Sequence, residues 1–307
     1  MKIIKHDTAK EINYFNLEKF VNNIKLEPKI LEHMQETNIN FDKYFKQLSK
    51  YNDEFMLYFW ISLAYDEIKN SNFVERHNFK NFDLSISDLF FDKLSISHNR
   101  IHNIHKFVMK NENETEKIGK YRKTDVRVSN ITQDTEEIFW YGAKPKDIKK
   151  FMDSFIKIYK TNNISIIDSN PFLKSALIHL LFIKIHPYYD GNGRSARIIH
   201  NIKFTETLNR LYNMNLKICP VNLSESINLN LISYMKSFDN IYFDLKHDNN
   251  DAINYWFDFI LNMYDEQLYN KKNMINNIDE IMERIITIKE KINLNDIKLP
   301  KNSRIRK

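Results

Sequence analysis

Only four glycines occur in the 307 residues, and two of them stand two positions apart in the run His186-Pro187-Tyr188-Tyr189-Asp190-Gly191-Asn192-Gly193-Arg194-Ser195-Ala196-Arg197. A chain that uses so little glycine and spends half of it in one turn needs, at that turn, a backbone conformation or a close approach to a ligand that a side chain would forbid. Beyond the turn, Arg194, Ala196, Arg197, Ile198, Ile199 and Ile202 keep helical spacing without a breaker. The turn therefore opens onto a helix N-terminus, where unpaired amides and the macrodipole attract anions. Arg194 and Arg197 are three apart, share a helix face and can each fork onto a phosphate oxygen. Asp190 is the acid nearest to them and suits Mg2+ held through oxygen. His186 titrates near neutrality and can take a proton from an incoming nucleophile. The combination is equipment for a polyphosphate.

The flanking chain reads as mostly helical. From Asn13 to about Asn70 apolar residues recur at helical spacing, as in Phe15, Leu17, Phe20, Val21 and again Phe55, Leu57, Phe59, Trp60, Leu63, Ala64, which predicts two or three amphipathic helices. Ser95 to Met109 predicts another, with Ile101, Ile104, Phe107 and Val108 on its apolar face and Ser95 or Ser97 as N-cap. His98, His102 and His105 carry metal-ligand spacing on that helix, but no Glu completes an H-E-x-x-H pattern, so they read as polar-face or core residues. Val126 and Val128, then Ile138-Phe139-Trp140-Tyr141, predict a hairpin, and Pro145 opens a helix through Ile148, Met152 and Phe155. Asn170 caps and Pro171 begins the helix that leads into the glycine turn, with Leu173, Ala176, Leu177, Leu180 and Ile183 as its buried stripe. That helix aims His186 and must be rigid. Tyr255, Trp256, Phe259, Ile260 and Met263 predict a further helix, and Ile278 to Ile292 a last, charged one.

The run from His186 to Arg197 resembles the signature of Fic-domain proteins, H-P-F-x-[D/E]-G-N-G-R-x-x-R, with Tyr188 where Phe is usual. The resemblance covers roughly residues 66 to 268, leaving 1–65 as an N-terminal helical region and 269–307 as a C-terminal helix and basic tail. It implies a mainly α chain, a Fic-type helical bundle with a small β-hairpin flap. It also implies a protein adenylyltransferase that moves AMP from ATP to a Ser, Thr or Tyr hydroxyl of a target protein. His186 would be the catalytic base, Gly191, Asn192, Gly193, Arg194 and Arg197 the phosphate-binding residues, and Asp190 the Mg2+ ligand.

Three further segments extend the likeness. Ser71-Asn72-Phe73-Val74-Glu75-Arg76 resembles the family's inhibitory helix, [S/T]-x-x-x-E-[G/N], through Ser71 and Glu75, and departs from it at Arg76. It implies that Glu75 pairs with the second motif arginine, Arg197, and blocks the γ-phosphate; a glutamate so placed could also orient water for removal of AMP. Gly119-Lys120-Tyr121-Arg122 followed by the hairpin resembles the segment whose flap registers the target protein. Leu223 to Asn230 and Tyr234 resemble the following family helix, which gives Asn230 and Tyr234 to the adenine. The same fold can move UMP, phosphocholine or phosphate, or serve as a nucleotide sensor without turnover, and these alternatives stay open at this level.

Composition narrows the setting. The net charge is +6, but Lys298, Lys301, Arg304, Arg306 and Lys307 supply five of those charges, leaving a nearly neutral body (6 − 5 = +1) and a short basic end. That distribution disfavours a nucleic-acid partner. A single cysteine, Cys219, excludes an intramolecular disulfide and a cysteine-rich zinc site, and fits a reducing, cytoplasmic setting. No apolar run has the length of a membrane span or a signal-peptide core, so no membrane partner is expected. The chain could also self-associate as a homodimer.

Overall fold

The computed structural model describes residues 3–7, 16–51, 53–75, 95–110, 115–131, 135–162, 166–213, 216, 218–238, 241–242, 249–276, 283 and 286. At its centre lies the helix Pro171–Ile185, every residue of which is buried. Its start is set as the sequence predicts: Asn170 Oδ1 accepts the Leu173 N–H at 3.0 Å and Pro171 occupies the first turn. In chain order the helices are α1 Leu17–Asn22, α2 Pro28–Leu48, α3 Asp53–Val74, α4 His98–Val108, α5 Ile148–Lys160, the central α6 Pro171–Ile185, α7 Asn192–Tyr212, α8 Ser224–Leu229, α9 Leu231–Lys236 and α10 Asn250–Asn276. The Ile278 to Ile292 helix and the basic end lie outside the described residues apart from Glu283 and Ile286, both helical.

A helix buried on all sides must satisfy whatever polar groups it carries. Neighbouring elements satisfy most of those on α6, His179 Nδ1 being left without a hydrogen-bond partner among the described residues. Lys174 reaches the Ile158 carbonyl at 3.0 Å and forms a buried ion pair with Asp168. His179 Nε2 meets the Tyr234 hydroxyl at 2.7 Å, and Lys184 donates to the Phe238 carbonyl at 3.2 Å. Across α6, α10 adds the Trp256 indole N–H to the Ala176 carbonyl at 3.1 Å. Edge-to-face contacts among Phe41, Phe172, Phe204 and Tyr264 knit α2, α6, α7 and α10 together. Each of these restrains α6 and hence the residue at its C-terminal end.

The N-terminal helices join the same core. His33 on α2 bridges Asp258 and Asp265 on α10 at 2.7 and 3.0 Å, and Tyr44 donates to the Pro220 carbonyl at 2.7 Å. Helix α3 runs through residue 65 without a break, so the N-terminal region and the segment carrying Glu75 share one helix. Its buried Glu67 accepts from the Ser224 N–H at 3.2 Å, which ties α3 to α8; burial raises this carboxyl above its usual range.

The hairpin forms as expected, β2 Arg127–Ile131 antiparallel to β3 Thr135–Tyr141, with Arg127 opposite Tyr141 and an irregularity between Val128 and Ser129. Periodicity gives no hint of a third strand, yet Ile3–Asp7, inside the region read as helical, forms β1 and pairs parallel with β3, giving the order β1-β3-β2. An uncovered strand edge offers a row of main-chain donors and acceptors. The pairing is set by that distant edge and has no local signal. Among the described residues no helix is long and apolar enough to cross a membrane.

Candidate active site

Helix α6 ends on His186, held in the left-handed region at φ 52°, ψ 60°, its N–H still bonded to the Phe182 carbonyl at 3.0 Å. Left-handed backbone at a non-glycine residue is a strained state that the surroundings must fix. Arg122 fixes it. Its Nε donates to the His186 carbonyl at 2.8 Å, its main-chain N–H to the Pro187 carbonyl at 3.0 Å, and its Nη2 to the Ala143 carbonyl beside the flap. Burial pushes this guanidinium down to about 10. This task was not legible for Arg122 in the sequence, where its place in Gly119-Lys120-Tyr121-Arg122 was the only signal.

The imidazole of His186 is set for proton acceptance. Nδ1 donates to the Ile183 carbonyl at 3.1 Å, which leaves Nε2 as the unprotonated nitrogen. Burial, reinforced by the Arg122 charge, lowers the pKa to about 4, so the ring is neutral at pH 7.

The turn after it is built as the glycines require. Gly191 is left-handed at φ 73°, and a Cβ there would stand 2.6 Å from Met109 Sδ. Asn192 closes the loop on itself, with Oδ1 accepting from the Tyr188 N–H at 2.9 Å and Nδ2 donating to the Tyr188 carbonyl at 2.8 Å. Its side chain therefore shapes the loop, and only its backbone is left for an anion. Asp190 is half exposed, with Oδ1 accepting the Gly191 N–H at 2.6 Å and Oδ2 3.6 Å from Arg194 Nη2.

The two arginines part company. Arg194 turns to α4, donating to the Val108 carbonyl at 3.1 Å and contacting Met109 Sδ at 3.3 Å. Arg197 enters the cavity: Nε donates to Ser71 Oγ at 2.8 Å, and Nη2 to the Ser71 carbonyl and to Glu75 Oε1, both at 2.9 Å. Its Nη1 is buried and has no hydrogen-bond partner among the described residues. Glu75 Oε1 also lies only 2.0 Å from where a Cβ on Gly193 would be. A carboxylate thus rests on the first turn of α7, where the amides have no intrahelical partner.

Around these groups lies a cavity of about 330 Å³. Glu75, His186, Gly193 and Arg197 line it, together with Ser129, Tyr234 and an apolar wall of Val74, Val128, Trp140, Ile183, Leu231, Ile232, Met235 and Phe238. Of the residues read from sequence, His186, Gly193, Arg197, Glu75 and Tyr234 meet there. Ser71 touches it through Arg197, whereas Asp190, Gly191, Asn192 and Arg194 form the adjoining loop. Tyr234 also lines the cavity, with its hydroxyl 2.7 Å from His179 Nε2. Asn230 is outside the lining; its amide donates to the Ser226 carbonyl at 2.9 Å. His98, His102 and His105 do not converge, and no group of three metal-ligating side chains occurs among the described residues.

A nearly all-helical bundle whose central helix delivers a histidine to an anion-accepting loop beneath a β-hairpin is the architecture of Fic proteins, and comparison with known proteins agrees. Residues 95–202 match the model of the Fic/DOC family. Over 107 residues, 35% of this chain and 22% of the relative, it is 33% identical to the protein adenylyltransferase Fic of Nematostella vectensis. Over 111 residues, 36% of this chain and 19% of the relative, it is 30% identical to the protein adenylyltransferase fic-1 of Caenorhabditis elegans. The chain thus spans about a fifth of the length of these curated relatives. A Fic family protein from Desulfovibrio desulfuricans G20 has the same fold, with a TM-score of 0.57 at 14% identity, covering 81% of this chain and 76% of the other.

Proposed function

We propose that the protein transfers the AMP moiety of ATP to a hydroxyl of a target protein and is restrained by Glu75. The observation that carries the reading is the buried, unpartnered Nη1 of Arg197 beside the first turn of α7, in the same cavity as an imidazole with its accepting nitrogen free. A buried guanidinium nitrogen left without a hydrogen-bond partner calls for a further acceptor, which a phosphate oxygen would supply. The names of the two animal relatives favour adenylyl transfer among the groups this fold can move.

In the proposed reaction the β- and γ-phosphates lie against the first turn of α7 and Arg197. The acceptor oxygen attacks the α-phosphorus, His186 Nε2 takes its proton, the bond between the α-phosphorus and the bridging oxygen breaks, and pyrophosphate leaves. The protein contributes alignment and charge neutralisation rather than a covalent intermediate. Asp190, half exposed at the mouth of the loop, suits Mg2+, which typically takes one or two carboxylates and completes its shell with phosphate oxygens and water. Bound there, the ion would neutralise phosphate charge.

The target would dock as an extended segment on β2. That strand is one of the two edges in the order β1-β3-β2, and its Val128 and Ser129 line the cavity, so main-chain pairing would hold an acceptor hydroxyl over the site. A cytoplasmic setting fits the single buried cysteine. Glu75 restrains the reaction by taking the Arg197 and Gly193 contacts that a γ-phosphate would use. The test is His186→Ala: label transfer from ATP should vanish while ATP affinity stays within about threefold, and transfer at the parental rate would refute the assignment.

A further inference from the structure

His105 lies outside the cavity, yet it holds the loop on which the cavity depends. Its Nδ1 accepts the Gly119 N–H at 2.9 Å, so the proton of the neutral ring is on Nε2. That Nε2–H donates to the Asp190 carbonyl at 2.9 Å. The ring stacks on Tyr188, centroids 3.7 Å apart and planes 13° apart, and packs against Gly191, where an added Cβ would be 3.3 Å from Nε2. One side chain therefore grips three consecutive parts of the turn: the aromatic before it, the carbonyl entering it and its left-handed glycine. The other two histidines of α4 face elsewhere, His98 to Tyr121 and Asp153 and His102 to the Tyr188 hydroxyl, each at 2.7 Å.

We propose that His105 is a positioning residue for the anion-binding loop, acting through the Nε2–H that it donates to the Asp190 carbonyl. It touches no reacting atom; it fixes the peptide between Asp190 and Gly191, and with it the direction in which the first amides of α7 point. The proposal rests on the reading that this loop receives the phosphates of a nucleotide. It assigns a distinct function to each ring nitrogen, one joining α4 to the Gly119 turn and the other governing phosphate affinity.

The two nitrogens can be replaced separately. Glutamine places an amide N–H near the position of Nε2, whereas asparagine places an acceptor near that of Nδ1. In the Glu75→Gly background, where the cavity is clear, ATP binding is measured by calorimetry for His105→Gln, His105→Asn and His105→Ala, with α-labelled transfer followed in parallel. A partly buried carbonyl that loses its donor weakens what it supports by up to about tenfold. His105→Asn and His105→Ala should therefore bind ATP about tenfold more weakly than the parent, and His105→Gln within about threefold of it. If Gln is as weak as Ala, or if Asn restores binding and Gln does not, His105 serves only to pack α4 against the Gly119 turn and the proposal is overturned. A parent that binds ATP with this ranking but transfers no label contradicts the transferase reading and leaves the loop assignment standing.

Discussion

Replacing Glu75 by glycine is the perturbation whose size the structure states most directly. Its carboxylate makes a 2.9 Å charged hydrogen bond to Arg197 Nη2, with the guanidinium 2% and the carboxylate 30% exposed. Hydrogen bonds between charged groups contribute about 1.5–3 kcal/mol when buried. With nearly a third of the carboxylate in solvent, the lower end applies, about 1.5 kcal/mol. A triphosphate must displace this contact to reach Arg197, so its removal should tighten ATP binding by about that amount, roughly tenfold. The absence of the carboxylate also opens the space beside Gly193. Calorimetric titration with ATP and the rate of label transfer at subsaturating ATP should both change by about tenfold, and Glu75→Gln, which keeps volume and loses charge, should fall between. Unchanged affinity and rate in Glu75→Gly would show that the ion pair does not compete with nucleotide, and the regulatory reading would fail.

Two other predictions address the base and the scaffold. Because burial lowers His186 to about 4, the neutral, proton-accepting ring persists as pH falls through 6.5 and is lost only near 4. The acid limb of kcat/KM for ATP should accordingly lie well below pH 6, and a limb at 6.5 would mean that the imidazole is solvated in the working enzyme. In the scaffold, Asp168→Asn leaves the Lys174 ammonium buried against a neutral partner, since the side chains of the pair are 6% and 2% exposed. Chemical denaturation should show a loss of about 3–5 kcal/mol, and a loss under about 1 kcal/mol would argue that Lys174 is neutral in the folded protein.

What was legible in the sequence was local. The Asn170 cap, a serine cap for α4 (Ser97 of the two candidates Ser95 and Ser97), a backbone at Gly191 that a side chain would forbid and the delivery of His186 from a buried helix all depend on neighbours within a few residues, and all appear in the structure. The Arg197–Glu75 contact crosses 122 positions and was legible only because the spacing of Ser71 and Glu75 resembles a known pattern. The patterns placed residues in the chain but did not set the direction of their side chains. Arg194 and Arg197 were read as a matched pair, but the Val108 carbonyl and Met109 on α4 claim the first. Tyr234 was given to adenine through its chain position, while His179, 55 residues away, holds its hydroxyl. At Tyr188, where Phe is usual, the structure supplies the hydroxyl with a partner, His102, 86 positions earlier. Strand β1 belongs to the same class: its partner is an edge more than a hundred residues downstream.

The central claim, that the loop and His186 direct attack at the innermost phosphorus, is tested most directly by where the label goes. Parallel reactions of the Glu75→Gly protein with ATP labelled at the α- or the γ-phosphate, resolved by gel, should leave the α-label on protein and release the γ-label as pyrophosphate. Retention of the γ-label on protein, or of neither label under conditions where ATP binds, would contradict the account.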